Sequence, residues 1–136
     1  MKRLSIPAVI VLVLSLIIAI GSVSFLSPCV HDDGSFGACH WAGQALCALG
    51  ILLSLEGLAA LIVKNHGIKA GLLLSALFTA VLGFLIPGTV IDLCRMATMR
   101  CRAVMQPAMR ILCVLIAISA LIGMILESKK VTHESR

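Results

Sequence analysis

The chain has 136 residues, of which 60% are hydrophobic and 12% charged, with a formal net charge of +5. A soluble globular domain carries about a quarter charged residues, so this chain has too little polar surface to cover a globule in water. Its basic residues sit at the edges of apolar runs rather than in one patch, which argues against a nucleic-acid partner.

Four apolar runs of roughly 20 residues use up most of the chain, and each is long enough to cross a bilayer core. The expected fold is all-α: a single membrane domain built as a four-helix transmembrane bundle. Helices are expected at about 6–26, 41–63, 70–91 and 107–126, with outer loops 27–40 and 92–106 and a polar tail 127–136.

The first run follows a basic start, Met1-Lys2-Arg3, and Pro7 is tolerable in its first turn. It is longer than the apolar region of a secretory signal, about 7–15 residues. Pro28 directly before Cys29 also argues against lipoprotein processing, so an uncleaved helix is expected. The second run opens on Trp41, a residue suited to the membrane interface. Gly43, Cys47, Gly50, Ser54 and Gly57 place small side chains down one face, where a neighbouring helix can come close. Lys64 to Lys69 is a tight polar turn. In the third run Gly67, Gly71, Ser75, Thr79 and Gly83 recur every four residues as a second such ridge, and Pro87-Gly88 bends its outer end. The fourth run carries Cys113, Ala117, Ala120 and Gly123 as its small face.

Placing both termini in the cytoplasm puts Lys2, Arg3, Lys64, Lys69, Lys129, Lys130 and Arg136 inside, seven basic residues against four (Arg95, Arg100, Arg102, Arg110) outside. The positive-inside rule favours that orientation. Cys29, Cys39, Cys94 and Cys101 then face a compartment where disulfides persist. Cys29 to Cys94 is a shift of 65 positions and Cys39 to Cys101 a shift of 62. The chain therefore reads as two similar helical hairpins related by a pseudo-twofold along the membrane normal.

Pro28-Cys29 with Cys39-His40-Trp41, then Leu85-Ile86-Pro87, Cys94, Met99-Arg100-Cys101 and Gln106-Pro107-Ala108, resembles an uncharacterised family of small four-helix bacterial membrane proteins, a domain of unknown function. The resemblance covers nearly the whole chain. It implies a multi-pass protein of the bacterial cytoplasmic membrane. Members are sometimes encoded beside ATP-driven permease genes, which points to an accessory role. It carries over no catalytic residue.

The outer loops allow three chemistries. Structural disulfides among Cys29, Cys39, Cys94 and Cys101 would close short loops, a bridge over about ten residues adding roughly 2–3 kcal/mol. Three pairings are possible and the sequence does not choose between them. Copper(I) or zinc binding is the second, with Cys29, His31, Cys39 and His40 as thiolate and imidazole ligands and Met96, Met99 and Met105 as soft thioethers. The third is thiol oxidation. The architecture resembles bacterial inner-membrane enzymes that pass electrons from thiols to quinone, and Cys39 and Cys101 sit beside His40, Arg100 and Arg102 near expected helix starts.

Glu56 stands apart, about seven residues or roughly 10 Å from the inner end of the second helix. A carboxylate at membrane depth is a functional hypothesis by default. Ser15, Ser75, Thr79 and Ser119 lie at similar depth and are expected to share a polar layer with it, as a packing contact or as a proton or cation site. The function expected overall is a non-catalytic accessory or interaction subunit, possibly of a transporter. It needs no cofactor, sits in membrane lipid, and joins another membrane protein or a second copy through its loops or its small-residue faces at Gly43, Gly50, Gly57, Gly71 and Gly83.

Overall fold

The computed structural model describes residues 6–24, 38–91 and 101–136, except for the side chains of Ala38, Cys39, Cys101 and Glu134. The elements are α1 (Ile6–Val23), α2 (Ala38–Ile62), α3 (His66–Leu85), a π-helical turn (Cys101–Met105) and α4 (Gln106–Glu134). All four α-helices are long and apolar enough to cross a membrane, and only 28–33% of each apolar stretch is buried inside the bundle. The outward remainder is large and greasy: Ile20, Leu55, Ile62, Phe78 and Ile111 are each about 60% exposed or more. Lipid solvates such a surface and water does not, and inside a bilayer the helix satisfies every backbone polar group within itself. The chain is a multi-pass membrane protein.

The buried positions follow a step of three and four. They run Ala8, Val11, Ser15, Ile18 and Ser22 in α1, and Leu73, Ala76, Ala80 and Gly83 in α3. In α4 the same steps join Met109, Cys113, Ile116, Ala120, Gly123 and Glu127. A 3.5-residue period keeps one seam facing its neighbours, as in left-handed bundles.

Neighbouring helices are antiparallel, because Gly50 meets Ala19 while Gly57 meets Leu12, and Gly83 meets Cys113 while Gly123 meets Leu73. Packing is most extensive within the pairs α1–α2 and α3–α4, lighter between α1 and α4 and between α2 and α3, and slight on the diagonals. The two close contacts match each other in extent, and so do the two light ones. This is the pattern two similar hairpins produce around a pseudo-twofold. The sequence echoes it inside the helices as well as in the loops: Cys47 to Cys113 and Gly57 to Gly123 are the same shift of 66.

Several boundaries differ from the sequence reading. Helix α3 begins at His66 rather than near 70, because Asn65 accepts a hydrogen bond from the Gly67 N–H at 3.0 Å and caps it. It ends at Leu85, where Pro87 and Gly88 turn the chain and Gly88 takes φ +90°. A Cβ on Gly88 would lie 2.3 Å from Gln106 Nε2. Residues 101–105, expected in a loop, form the π-helical turn leading into α4. The expected polar tail is the last two turns of α4, since no Pro or Gly follows Gly123 to stop the helix.

Candidate functional site

The two small-residue ridges have different fates. On α2 the ridge is filled by α1. A Cβ on Gly50 would meet the Ala19 backbone nitrogen at 2.8 Å, and one on Gly57 would meet the Leu12 backbone nitrogen at 3.1 Å. Cys47 Sγ–H lies 3.8 Å from the Ala19 carbonyl, and Ser54 and Ser15 hydroxyls are 3.0 Å apart across the same seam. Small side chains let the two backbones close up, so dispersion and hydroxyl contacts replace the hydrophobic drive that lipid removes. Gly43 is buried in line with them.

On α3 only the far end of the ridge is used. Gly83 receives Cys113 of α4, with Sγ 3.0 Å from where a Cβ would stand. Gly71 has no heavy atom within 4 Å of its missing Cβ, and it and Ser75 are exposed. The reason is helical geometry: a four-residue repeat drifts about 40° per step, so Gly71 and Gly83 look in different directions.

Glu56 of α2 borders this open stretch. Its Oε1 accepts the Ser75 hydroxyl at 2.6 Å across the lightly packed α2–α3 seam. Its Oε2 is closed off and has no hydrogen-bond partner among the described residues. The expected polar layer is therefore narrower than the sequence implied. Thr79 donates to the Ser75 carbonyl and Ser119 to the Leu115 carbonyl, each four residues back on its own helix. Ser15 pairs with Ser54 and the Leu12 carbonyl. Of the four hydroxyls, Ser75 alone reaches Glu56.

A second polar cluster, absent from the sequence reading, lies at the end of the bundle where α1 begins and α4 ends. Glu127 is 2% exposed although it is charged. His66 Nδ1–H donates to its Oε2 at 2.5 Å and Lys130 Nζ to its Oε1 at 3.1 Å. The signal was present: Glu127 continues the buried register of α4 one step past Gly123. At the opposite end, Gln106 Nε2 and Arg110 Nη2 both donate to the Pro87 carbonyl at 3.3 Å. The Arg110 guanidinium lies 5.4 Å from the Phe84 ring centroid. These contacts hold the Pro87-Gly88 turn against α4.

Cys29, His31, Cys94, Met96, Met99 and the side chains of Cys39 and Cys101 lie outside the described residues. His40 is described, with its Nε2 3.1 Å from Gln44 Nε2 and its ring edge-on to Trp41. Met105, counted with the thioethers, is 1% exposed and belongs to the core. Cys47 and Cys113 are free thiols in helix seams. Among the described residues no group of three or more His, Cys, Asp or Glu side chains gathers where a metal ion could sit.

No curated protein and no solved structure matches the chain. A family profile does match, over residues 11–126, from the core of α1 to within one residue of Glu127. With four membrane-spanning helices and a match over most of its length, the chain belongs to the family described as domain of unknown function DUF4418.

Proposed function

We propose that this protein is a non-catalytic accessory subunit that joins another polytopic membrane protein, such as a transporter, along the open α2–α3 face. The observation that carries the reading is Glu56. A carboxylate within a membrane span is costly unless it is satisfied, and here one oxygen is bonded by Ser75 while the other has no partner among the described residues. Beside it, Gly71 and Ser75 leave a strip of α3 that a foreign helix can approach closely. The terminal torsion of a Glu side chain is soft, so either oxygen can turn to an incoming donor.

The partner this face fits is a transmembrane helix that presents a hydrogen-bond donor or a cation at the depth of Glu56. A second copy fits poorly. In a twofold contact residue i meets residue j while j meets i, so two copies in one membrane orientation bring two Glu56 carboxyls to the same depth, where the Ser75 hydroxyl that could receive a second one is already bonded to the first. The resemblance to proteins encoded beside ATP-driven permeases supports the same class of partner. It also supports a bacterial cytoplasmic membrane, and the distribution of lysine and arginine favours both termini inside.

Co-purification from native membranes in mild detergent tests the reading. The wild-type chain is expected in a larger complex, from which Glu56→Leu and Gly71→Leu release it. A wild-type chain that elutes alone, or a complex indifferent to both substitutions, contradicts the proposal.

A further inference from the structure

The turn between α2 and α3 and the last turns of α4 border an open cavity of about 590 Å³, lined by Lys64, Asn65, His66, Gly67, Val131 and Ser135. Its position follows from lengths already given. The apolar part of α2 ends at Ile62 and α3 starts at His66, so a bilayer core spanned by these two helices puts the turn at its headgroup boundary. Helix α4 runs past that level to Glu134, and its Val131 with the C-cap residue Ser135 forms the opposite wall. The His66–Glu127 hydrogen bond ties the two walls together below the cavity.

Among the described residues the lining has donors and no carboxylate. Lys64 contributes an ammonium, Asn65 an amide nitrogen (its oxygen is engaged by the Gly67 N–H) and Ser135 a hydroxyl. Lys64 is exposed and has no ion pair among the described residues, and Glu127, the buried acid at this end, is already occupied by His66 and Lys130. Lys69, Lys129 and Arg136 at the same end add positive charge without lining the cavity.

We infer that this cavity is a binding site for the phosphate of an anionic phospholipid headgroup. A soluble phosphate shares that chemistry. The lipid is the occupant the position favours, because the cavity opens where the apolar spans end and Ile68, 54% exposed in the first turn of α3, continues the surface toward the acyl region. The site is independent of the α2–α3 face around Glu56 and Ser75.

The test is retention of phosphatidylglycerol against phosphatidylcholine by the purified chain, read by native mass spectrometry. Wild type is expected to prefer phosphatidylglycerol. Lys64→Gln is expected to reduce that preference about fivefold, the weight of one lysine at an anionic surface. Lys69→Gln and Lys129→Gln change the charge equally but lie outside the cavity, and are expected to change it less than twofold. Equal losses in all three variants would mean a diffuse charge effect and overturn the site. So would a wild type without preference. Displacement of the lipid by millimolar inorganic phosphate would assign the cavity to a soluble anion and overturn the lipid assignment. Helicity by circular dichroism confirms that each variant is folded.

Discussion

Helices α2 and α3 carry the same sequence signal, small residues repeating at helical spacing, and use it in opposite ways. The α2 ridge is closed by α1, with Gly50 and Gly57 against backbone atoms of Ala19 and Leu12. The α3 ridge is open at Gly71 and Ser75, and a carboxylate from α2 stands at its border. A filled ridge contributes to folding. An open one beside a carboxyl oxygen with no partner among the described residues is a cost to the isolated chain that a partner can remove. A small-residue pattern thus shows where a helix can approach, and only the structure shows whether this chain supplies that helix.

Substitution at matched positions breaks the comparison most sharply. Gly50→Leu forces a side chain into the α1 backbone and is expected to lower stability by about 3 kcal/mol, the upper range for overpacking. Gly71→Leu enters open space and is expected to stay within about 0.5 kcal/mol of wild type. Unfolding in lipid bicelles, followed by circular dichroism during a denaturing-detergent titration, measures both. Equal destabilisation would erase the distinction.

The next effect concerns the buried acid missed in the sequence. Glu127→Ala removes the acceptor for His66 and Lys130. Because the His66 side chain is 35% exposed and that of Lys130 50%, both can rehydrate. The expected cost is therefore about 1–2 kcal/mol rather than that of a fully buried pair. A double-mutant cycle with His66→Ala is expected to show coupling between the two positions; strictly additive losses would mean that the hydrogen bond contributes nothing to stability.

Smaller still is the bond across the filled seam. Ser15→Ala is expected to cost about 0.6 kcal/mol, typical of a hydroxyl contact between membrane helices. Glu56→Gln keeps an acceptor for Ser75 and is expected to leave stability unchanged within about 0.5 kcal/mol. Under the proposed function it weakens partner association instead, so its two readouts should part company.

Much of the fold was legible because membrane helices declare themselves by length and apolarity. The α2 ridge and the pairing of hairpins were legible too, since a mixed three- and four-residue spacing holds one face. The α3 ridge misled through its strict period of four, which rotates away from the bundle at Gly71. The polar layer around Glu56 was overdrawn for another reason. Thr79 and Ser119 have a carbonyl of their own helix one turn back, and a hydroxyl in a membrane takes the nearest acceptor. Glu127 is hidden by its charge: by composition it belongs to a polar tail, although its register places it in the core.

The most direct measurement is photocrosslinking in native membranes from a benzoylphenylalanine in place of Phe78, an exposed aromatic residue two turns along α3 from Gly71 that borders the open ridge without filling it, with the same probe at Ile20 of α1 as a control on the lipid-exposed surface. A protein adduct is expected from position 78 whose mass exceeds the chain by that of a different polypeptide, and none from position 20. The adduct is expected to diminish when Glu56 is changed to Leu. Lipid adducts alone at both positions, or an adduct of twice the chain mass, would contradict the claim that the open α3 ridge receives a helix from another protein.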